Sequence, residues 1–139
     1  MELFKNTLTK HKNNLAKTNM SGISDTPVGP PEEYGGSPET LNPEELFVAS
    51  INSCLMLVFQ HFANKKKLDI DFYTSTAEGA IEKTKDGLRF TKVTVNAAIK
   101  PVSQTCEQDI EQTAKLAEQF CLISNSVACP VEYSLKIEN

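Results

Sequence analysis

The sequence predicts a small α+β fold built from two helices and antiparallel strands. Three observations predict it. A long apolar stretch opening at Asn42-Pro43 reads as a helix, two alternating runs flank Asp86-Gly87 as the arms of a hairpin would, and alternation returns from Val127 to Glu138. At 139 residues the chain has the size of one domain, expected over 1–139. A domain this small buries only about two-thirds of its unfolded surface, so a partner chain is expected to complete its core.

Residues 1–20 predict a β-hairpin, with Phe4, Leu8, Leu15 and Met20 spread around a turn-like Lys10-His11-Lys12-Asn13-Asn14. So thin an apolar pattern would hardly hold a hairpin alone, which fits strands that add to another sheet. Residues 21–41 predict a loop, since they hold four of the seven prolines and four of the six glycines. Loops of that length in a compact domain are usually functional or disordered.

The central helix is expected over 42–64. Asn42 suits the N-cap, Pro43 the first helical position, and Glu45 completes a capping-box pattern near the positive helix end. Leu46, Phe47, Ile51, Cys54, Leu55, Met56, Leu57, Val58, Phe59 and Phe62 make it apolar on most of its circumference, so it reads as a buried helix. Ser50, Asn52, Ser53, Gln60 and His61 interrupt it too often for a bilayer span, and Lys65 to Lys67 complement its C-terminal end.

A long hairpin is expected over 68–100, with Leu68, Ile70 and Phe72 sharing a face and the turn at Asp86-Gly87. Apolar parity is even at Leu88 and Phe90 but odd from Val93 to Ile99, which predicts a bulge near Thr91. A second helix over 105–122 opens on a Thr105/Gln108 capping box and carries the stripe Ile110, Ala114, Ala117 and Cys121. The terminal strand, 127–138, places Val127, Cys129, Val131, Tyr133, Leu135 and Ile137 on one face.

Composition removes several function classes. The net charge is −4, and one arginine, Arg89, stands against thirteen lysines, so the basic footprint of a nucleic-acid binder is missing. No apolar leader opens the chain and no membrane partner is indicated, so a cytoplasmic protein is expected. Cysteines that pair in such a reducing compartment usually do so transiently, for catalysis or sensing. The four cysteines, Cys54, Cys106, Cys121 and Cys129, show no zinc-ligand spacing, so neither a metal nor a cofactor is expected.

Those cysteines differ in context. Cys129 alternates with Val127 and Val131 and reads as a small core residue. Cys106 lies at a helix start with no histidine or second cysteine near it. Cys54 sits in Ile51-Asn52-Ser53-Cys54, midway along the greasy helix, and Cys121 ends the stripe of the second helix just before Ser124-Asn125-Ser126. Two thiols on facing sides of packed helices can meet.

The run Asn42-Pro43-Glu44-Glu45-Leu46-Phe47-Val48-Ala49-Ser50, with Cys54 ten residues after Glu44, and Cys121-Leu122-Ile123-Ser124-Asn125-Ser126 before a final strand, resemble the two cysteine motifs of the OsmC/Ohr family. The resemblance covers nearly the whole chain. It implies an intertwined homodimer in which β-sheets of both chains wrap two long central helices, with shared active sites. It also implies thiol peroxidase activity on organic hydroperoxides, recycled by a dithiol reductant such as one of lipoyl type. By motif position Cys54 is then the peroxidatic thiol, Cys121 the resolving thiol, and Glu44 the carboxylate that organises the site. From the residues alone, Glu44 reads equally well as a helix-start carboxylate that satisfies the dipole.

The chemistry agrees with that implication. A thiolate attacks the distal oxygen of a hydroperoxide to become a sulfenic acid, and a second thiol condenses with it to a disulfide that a dithiol reopens. Leu55, Met56, Phe47 and Phe59 around Cys54 favour a greasy peroxide. Helix geometry places Glu44 about 15 Å along the axis from Cys54, so a partner helix running antiparallel would have to supply the carboxylate. One departure stands out: peroxidase members use an arginine from the N-terminal half, and this chain has none before Arg89. Lys10, Lys12 or His11 are alternative sources of charge, and His61, seven residues after Cys54, lies near the same helical face. The departure keeps open a second reading, a non-catalytic OsmC-like module that binds an apolar ligand.

Overall fold

The computed structural model describes residues 1–102 and 106–138. The chain divides into two compact units, residues 1–47 and 48–139.

The first unit carries three short strands, β1 (Thr7–Thr9), β2 (Ala16–Met20) and β3 (Ser24–Val28), in an antiparallel sheet of order β1-β2-β3. The expected loop over 21–41 is therefore corrected, because Ser24–Val28 pairs with β2 in full register. Ser21 and Gly22 both take positive φ (53° and 73°), the mirror-image turn that suits the twist of a hairpin. β3 escaped notice because Ser24-Asp25-Thr26-Pro27 has no apolar alternation and Pro27 is a residue of edge strands. The chain then passes a short 3₁₀ turn at Glu32–Tyr34 and reaches the first turn of helix α1 (Pro43–Lys65). Asn42 Oδ1 accepts the Glu45 N–H at 2.7 Å while its amide donates to the Glu45 carboxylate at 2.6 Å, a reciprocal cap of the expected kind.

The second unit holds the rest of α1, the strands β4 (Ile70–Thr84), β5 (Gly87–Pro101) and β6 (Val131–Ile137), and helix α2 (Glu107–Phe120). β4 and β5 form the long hairpin, and its register shifts between Ala80 and Ile81 so that Thr91 is the extra residue, as parity predicts. A second irregularity between Ile70 and Phe72 turns Phe72 out to solvent and puts Tyr73 inward, a correction to the expected Leu68/Ile70/Phe72 face. β6 pairs parallel to β5, from Val93↔Val131 to Ile99↔Ile137, which corrects the expectation of antiparallel strands throughout. The reason is topological: α2 carries the chain back to the other end of the sheet, and a parallel neighbour needs such a crossover.

α2 begins at Glu107 with Cys106 as its cap. Thr105, on which the capping-box reading depends, lies outside the described residues. Cys121 is the C-cap, beyond the helix rather than in its stripe. A 3₁₀ turn at Ser124–Ser126 follows, and the strand starts only at Val131, just after Pro130, so Cys129 lies in the approach to β6 and is half-buried.

Phe59, Ala63, Ile99, Ile110, Ala114 and Ala117 form the core of this unit. On α1 burial follows Ile51, Leu55, Phe59 and Ala63, one residue per turn. The helix expected to be buried and apolar on most of its circumference is, within one chain, buried along this one stripe, and Leu57 is 61% exposed. By length and composition alone α1 is also long and apolar enough to cross a membrane, a test that a core helix passes too. Gly79 of β4 marks the closest approach of strand to helix, since a Cβ there would stand 2.7 Å from a Phe90 ring carbon and 2.8 Å from a Val48 methyl.

Candidate functional site

The C-terminal end of α2 and the turn after it meet the middle of α1. There the half-buried Cys54 thiol lies in hydrogen-bonding contact with the thiol of Cys121, which is fully buried. Sequence reasoning paired these two, and they are together within one chain. The turn is held tightly by its own bonds: Asn125 N–H to Cys121 O at 3.1 Å, Ser126 Oγ to Leu122 O at 2.7 Å and the Asn125 amide to Gln119 O at 2.9 Å.

That rigid turn directs three successive backbone N–H groups at sulfur. Those of Leu122 and Ile123 reach Cys54, and that of Ser124 reaches Cys121 Sγ at 3.4 Å. Such oriented amides act as fixed partial positive charge. Burial raises the Cys54 pKa above its ordinary value, the Ile123 N–H lowers it, the Cys121 thiol raises it as hydrogen-bond partner and as charge, and the Leu122 N–H lowers it again. Burial wins, so the resting group is a thiol with an amide cradle ready for charge. None of this was legible in the sequence, because backbone donors carry no residue signature.

Behind the pair lies a cavity of about 270 Å³, lined among others by Leu55, Glu118, Ser124, Asn125, Cys129 and Tyr133. Burial raises the Glu118 carboxyl pKa, against a lowering by Lys115. The Tyr133 hydroxyl sits 2.7 Å from that of Tyr73, and burial drives both phenols above their usual range. Sequence reasoning missed this polar pair inside the core. Its one signal was Tyr133 at an inward strand position, where a hydroxyl needs a partner.

The remaining candidates are placed elsewhere. Glu44 sits in the first turn of α1, ten residues before Cys54 in the sequence. Its Oε2 is buried with no hydrogen-bond partner among the described residues. Arg89 is exposed and donates to Leu88 O at 2.8 Å, on the outside of the hairpin. Lys10 is engaged by three carbonyls of its own turn, those of His11, Lys12 and Asn14. His11 and Lys12 are exposed in that same turn. His61 is exposed and meets Phe62 edge-on at 5.1 Å. Cys106 is an exposed helix cap. Among the described residues no group of three histidine, cysteine or acidic side chains could hold a metal ion.

Comparison with known proteins bears on the family and the fold. Residues 36–136 match the family model of OsmC-like proteins. An OsmC-like protein of unknown function from Vibrio cholerae has the same fold, with a TM-score of 0.86 and 27% identity over 97% of this chain and 99% of that one. An organic hydroperoxide resistance protein from Legionella pneumophila superimposes over the full length of both chains, with a TM-score of 0.74 and 23% identity. An uncharacterized protein of Methanocaldococcus jannaschii is 23% identical over 75% of this chain, and the match spans 53% of that protein, about half its length. With both cysteine motifs inside or beside the matched region and the fold shared end to end, the chain belongs to the OsmC-like protein family.

Proposed function

We propose that this protein is a thiol-dependent peroxidase of the OsmC/Ohr type, acting on organic hydroperoxides in the cytoplasm. One observation carries the reading: Cys54 of α1 and Cys121, the C-cap of α2, have their thiols in hydrogen-bonding contact. Some relatives of the same fold are named organic hydroperoxide resistance proteins, which supports it. In this mechanism Cys54 attacks the distal oxygen of the hydroperoxide, the alcohol leaves, and Cys54 becomes a sulfenic acid. Cys121 attacks that sulfur, water leaves, and an external dithiol, of lipoyl type or similar, reopens the disulfide by exchange. No cofactor enters any of these steps.

In place of an arginine, the N–H groups of Leu122 and Ile123 stabilise the developing Cys54 thiolate. Oriented amide donors in a water-poor site are the usual means of stabilising such charge. The orphaned Glu44 oxygen and the exposed side of α1 support an antiparallel pairing of two copies, which would bring Glu44 of one copy towards Cys54 of the other. The homodimer then encloses two sites between apolar helices, suited to an alkyl or fatty-acyl peroxide.

The test is intact mass after one equivalent of cumene hydroperoxide. Wild type should lose two hydrogens as the disulfide forms, Cys121→Ser should gain one oxygen on Cys54, and Cys54→Ser should do neither. An unreacted wild-type protein, with no peroxide consumption in the presence of dihydrolipoamide, would reject the enzyme. A second reading, a non-catalytic module for an apolar ligand, is favoured by the raised Cys54 pKa and the exposed position of Arg89. A co-purifying apolar molecule, together with a Cys54 left unoxidised by cumene hydroperoxide, would select it.

A further inference from the structure

A string of two hydrogen-bonded side-chain pairs, joined through β4, crosses residues 48–139, and the dithiol chemistry leaves it unexplained. At one end Ser75 Oγ donates to Asn52 Oδ1 at 2.6 Å. At the other the hydroxyls of Tyr73 and Tyr133 are 2.7 Å apart. Ser75 and Tyr73 are two residues apart on β4 and so stand on the same face of the strand, which joins the two pairs through its backbone. An amide oxygen only accepts, so Ser75 gives its one proton to Asn52.

Its two ends stand beside the carriers of the two thiols. Asn52 precedes Cys54 by two residues, about 200° around α1, so its bond to Ser75 fixes the rotation of the helix and with it the direction of Cys54. Tyr133 lines the cavity shared with Ser124, whose N–H holds Cys121 Sγ. Glu118, three residues before Cys121, lies close enough for its charge to act on Tyr133. We propose that Asn52, Ser75, Tyr73 and Tyr133 are positioning residues that hold Cys54 and Cys121 in bonding register. The inference rests on the dithiol reading above. The step it serves is closure: Cys121 sulfur attacks the Cys54 sulfenic sulfur, the S–S bond forms, the S–O bond breaks, and hydroxide leaves as water with the proton released by Cys121. Two partly buried hydrogen bonds set on one strand suit the task, because one ties α1 to β4 and the other ties β4 to β6.

The test measures how readily the pair closes, without any peroxide. The full-length chain carrying Cys106→Ser and Cys129→Ser is equilibrated with mixtures of reduced and oxidised glutathione, quenched in acid, and read by intact mass for the Cys54–Cys121 disulfide. Ser75→Ala and Tyr73→Phe should each lower the equilibrium constant about two- to tenfold, one hydrogen bond's worth. Ser75→Thr should restore it, and the Ser75→Ala/Tyr73→Phe double variant should lose little more than either single, since both break one string. Tyr133→Phe gives an independent break if one of these fails to fold. A merely structural role would lower the unfolding temperature and leave the constant unmoved. Constants within twofold of wild type in every folded variant, or a wild type that forms no disulfide at any glutathione ratio, would overturn the proposal. Dependence on the string in glutathione, with no oxidation by hydroperoxide, would reject the peroxidase alone and leave the positioning role standing.

Discussion

Leu57 and Phe59, two residues apart on α1, divide the helix into an inner and an outer face. Phe59 is fully buried and packs against Tyr73 with ring centroids 5.6 Å apart, while Leu57 is 61% exposed. Truncating Phe59 to alanine removes on the order of 100–150 Å² of buried apolar area, out of about 150–250 Å² for a whole aromatic side chain. At about 25 cal/mol/Å² the transfer loss is roughly 3 kcal/mol. The cavity left behind brings the total to about 4 kcal/mol, within the range for buried aromatic deletions. That is a large share of the roughly 5–15 kcal/mol stability of a typical domain, and it should lower Tm by about 8–16 °C. Leu57→Glu removes nothing from this core, so the secondary structure should persist in circular dichroism. On the proposed pairing of two copies through the outer face, however, it buries a charge between helices, and light scattering should show a monomer. Denaturant unfolding and light scattering on both variants decide the matter. A Phe59→Ala cost below about 1 kcal/mol would refute the packing argument, since only surface changes stay that small. A Leu57→Glu protein still dimeric at low micromolar concentration would refute the pairing through this face.

Four further outcomes follow from the same coordinates. The pH midpoint for alkylation of Cys54 by iodoacetamide should lie above that of an ordinary cysteine and fall in Cys121→Ala, which removes a partner that raises it; an upward move would contradict the assignment. Tyr73 and Tyr133 have pKa values raised by burial, so the unfolded chain releases their protons first, and their contribution to stability should hold below about pH 10 and fade above it. Thermal melts against pH should show that decline in wild type and a shallower one in Tyr73→Phe. Gly79→Ala, whose Cβ would press on Phe90 and Val48, should cost about 1–3 kcal/mol in urea unfolding. Asn42→Ala should cost about 1 kcal/mol through loss of the reciprocal cap.

What the sequence foretold and what it hid have physical causes. The α1 start was legible because capping is local: Asn42 and Glu45 bond to each other. The bulge at Thr91 was legible because an extra residue reverses the parity of every side chain beyond it. The Cys54–Cys121 contact was inferred from motif and helix end rather than from any local pattern, and the chain brings it about. The direction of β6 was hidden, since parallel and antiparallel strands share one alternation and differ only in the crossover that delivers them. β3 was hidden because its stability comes from pairing with β2 and owes little to its own polar residues. The amide cradle at Leu122 and Ile123 was hidden because every residue owns an N–H.

The parallel docking of β6 also orders the events of assembly. Thr84 meets Gly87 across a tight turn, whereas Val93 meets Val131 only after the chain has traversed α2. Closing the long loop costs more entropy than closing the short one, so contacts of the second kind form against a higher barrier. Cys121 lies on that long loop, at the point where α2 gives way to the turn. Until α2 packs on α1, through contacts such as that of Phe120 with Phe62, nothing fixes this sulfur opposite α1. A chain emerging from the ribosome, or one opened locally by heat, therefore carries Cys54 without its neighbour, and the reactive pair exists only in the finished fold. On the proposed peroxidase reading, topology in this way keeps the two thiols apart while the chain is still half-made.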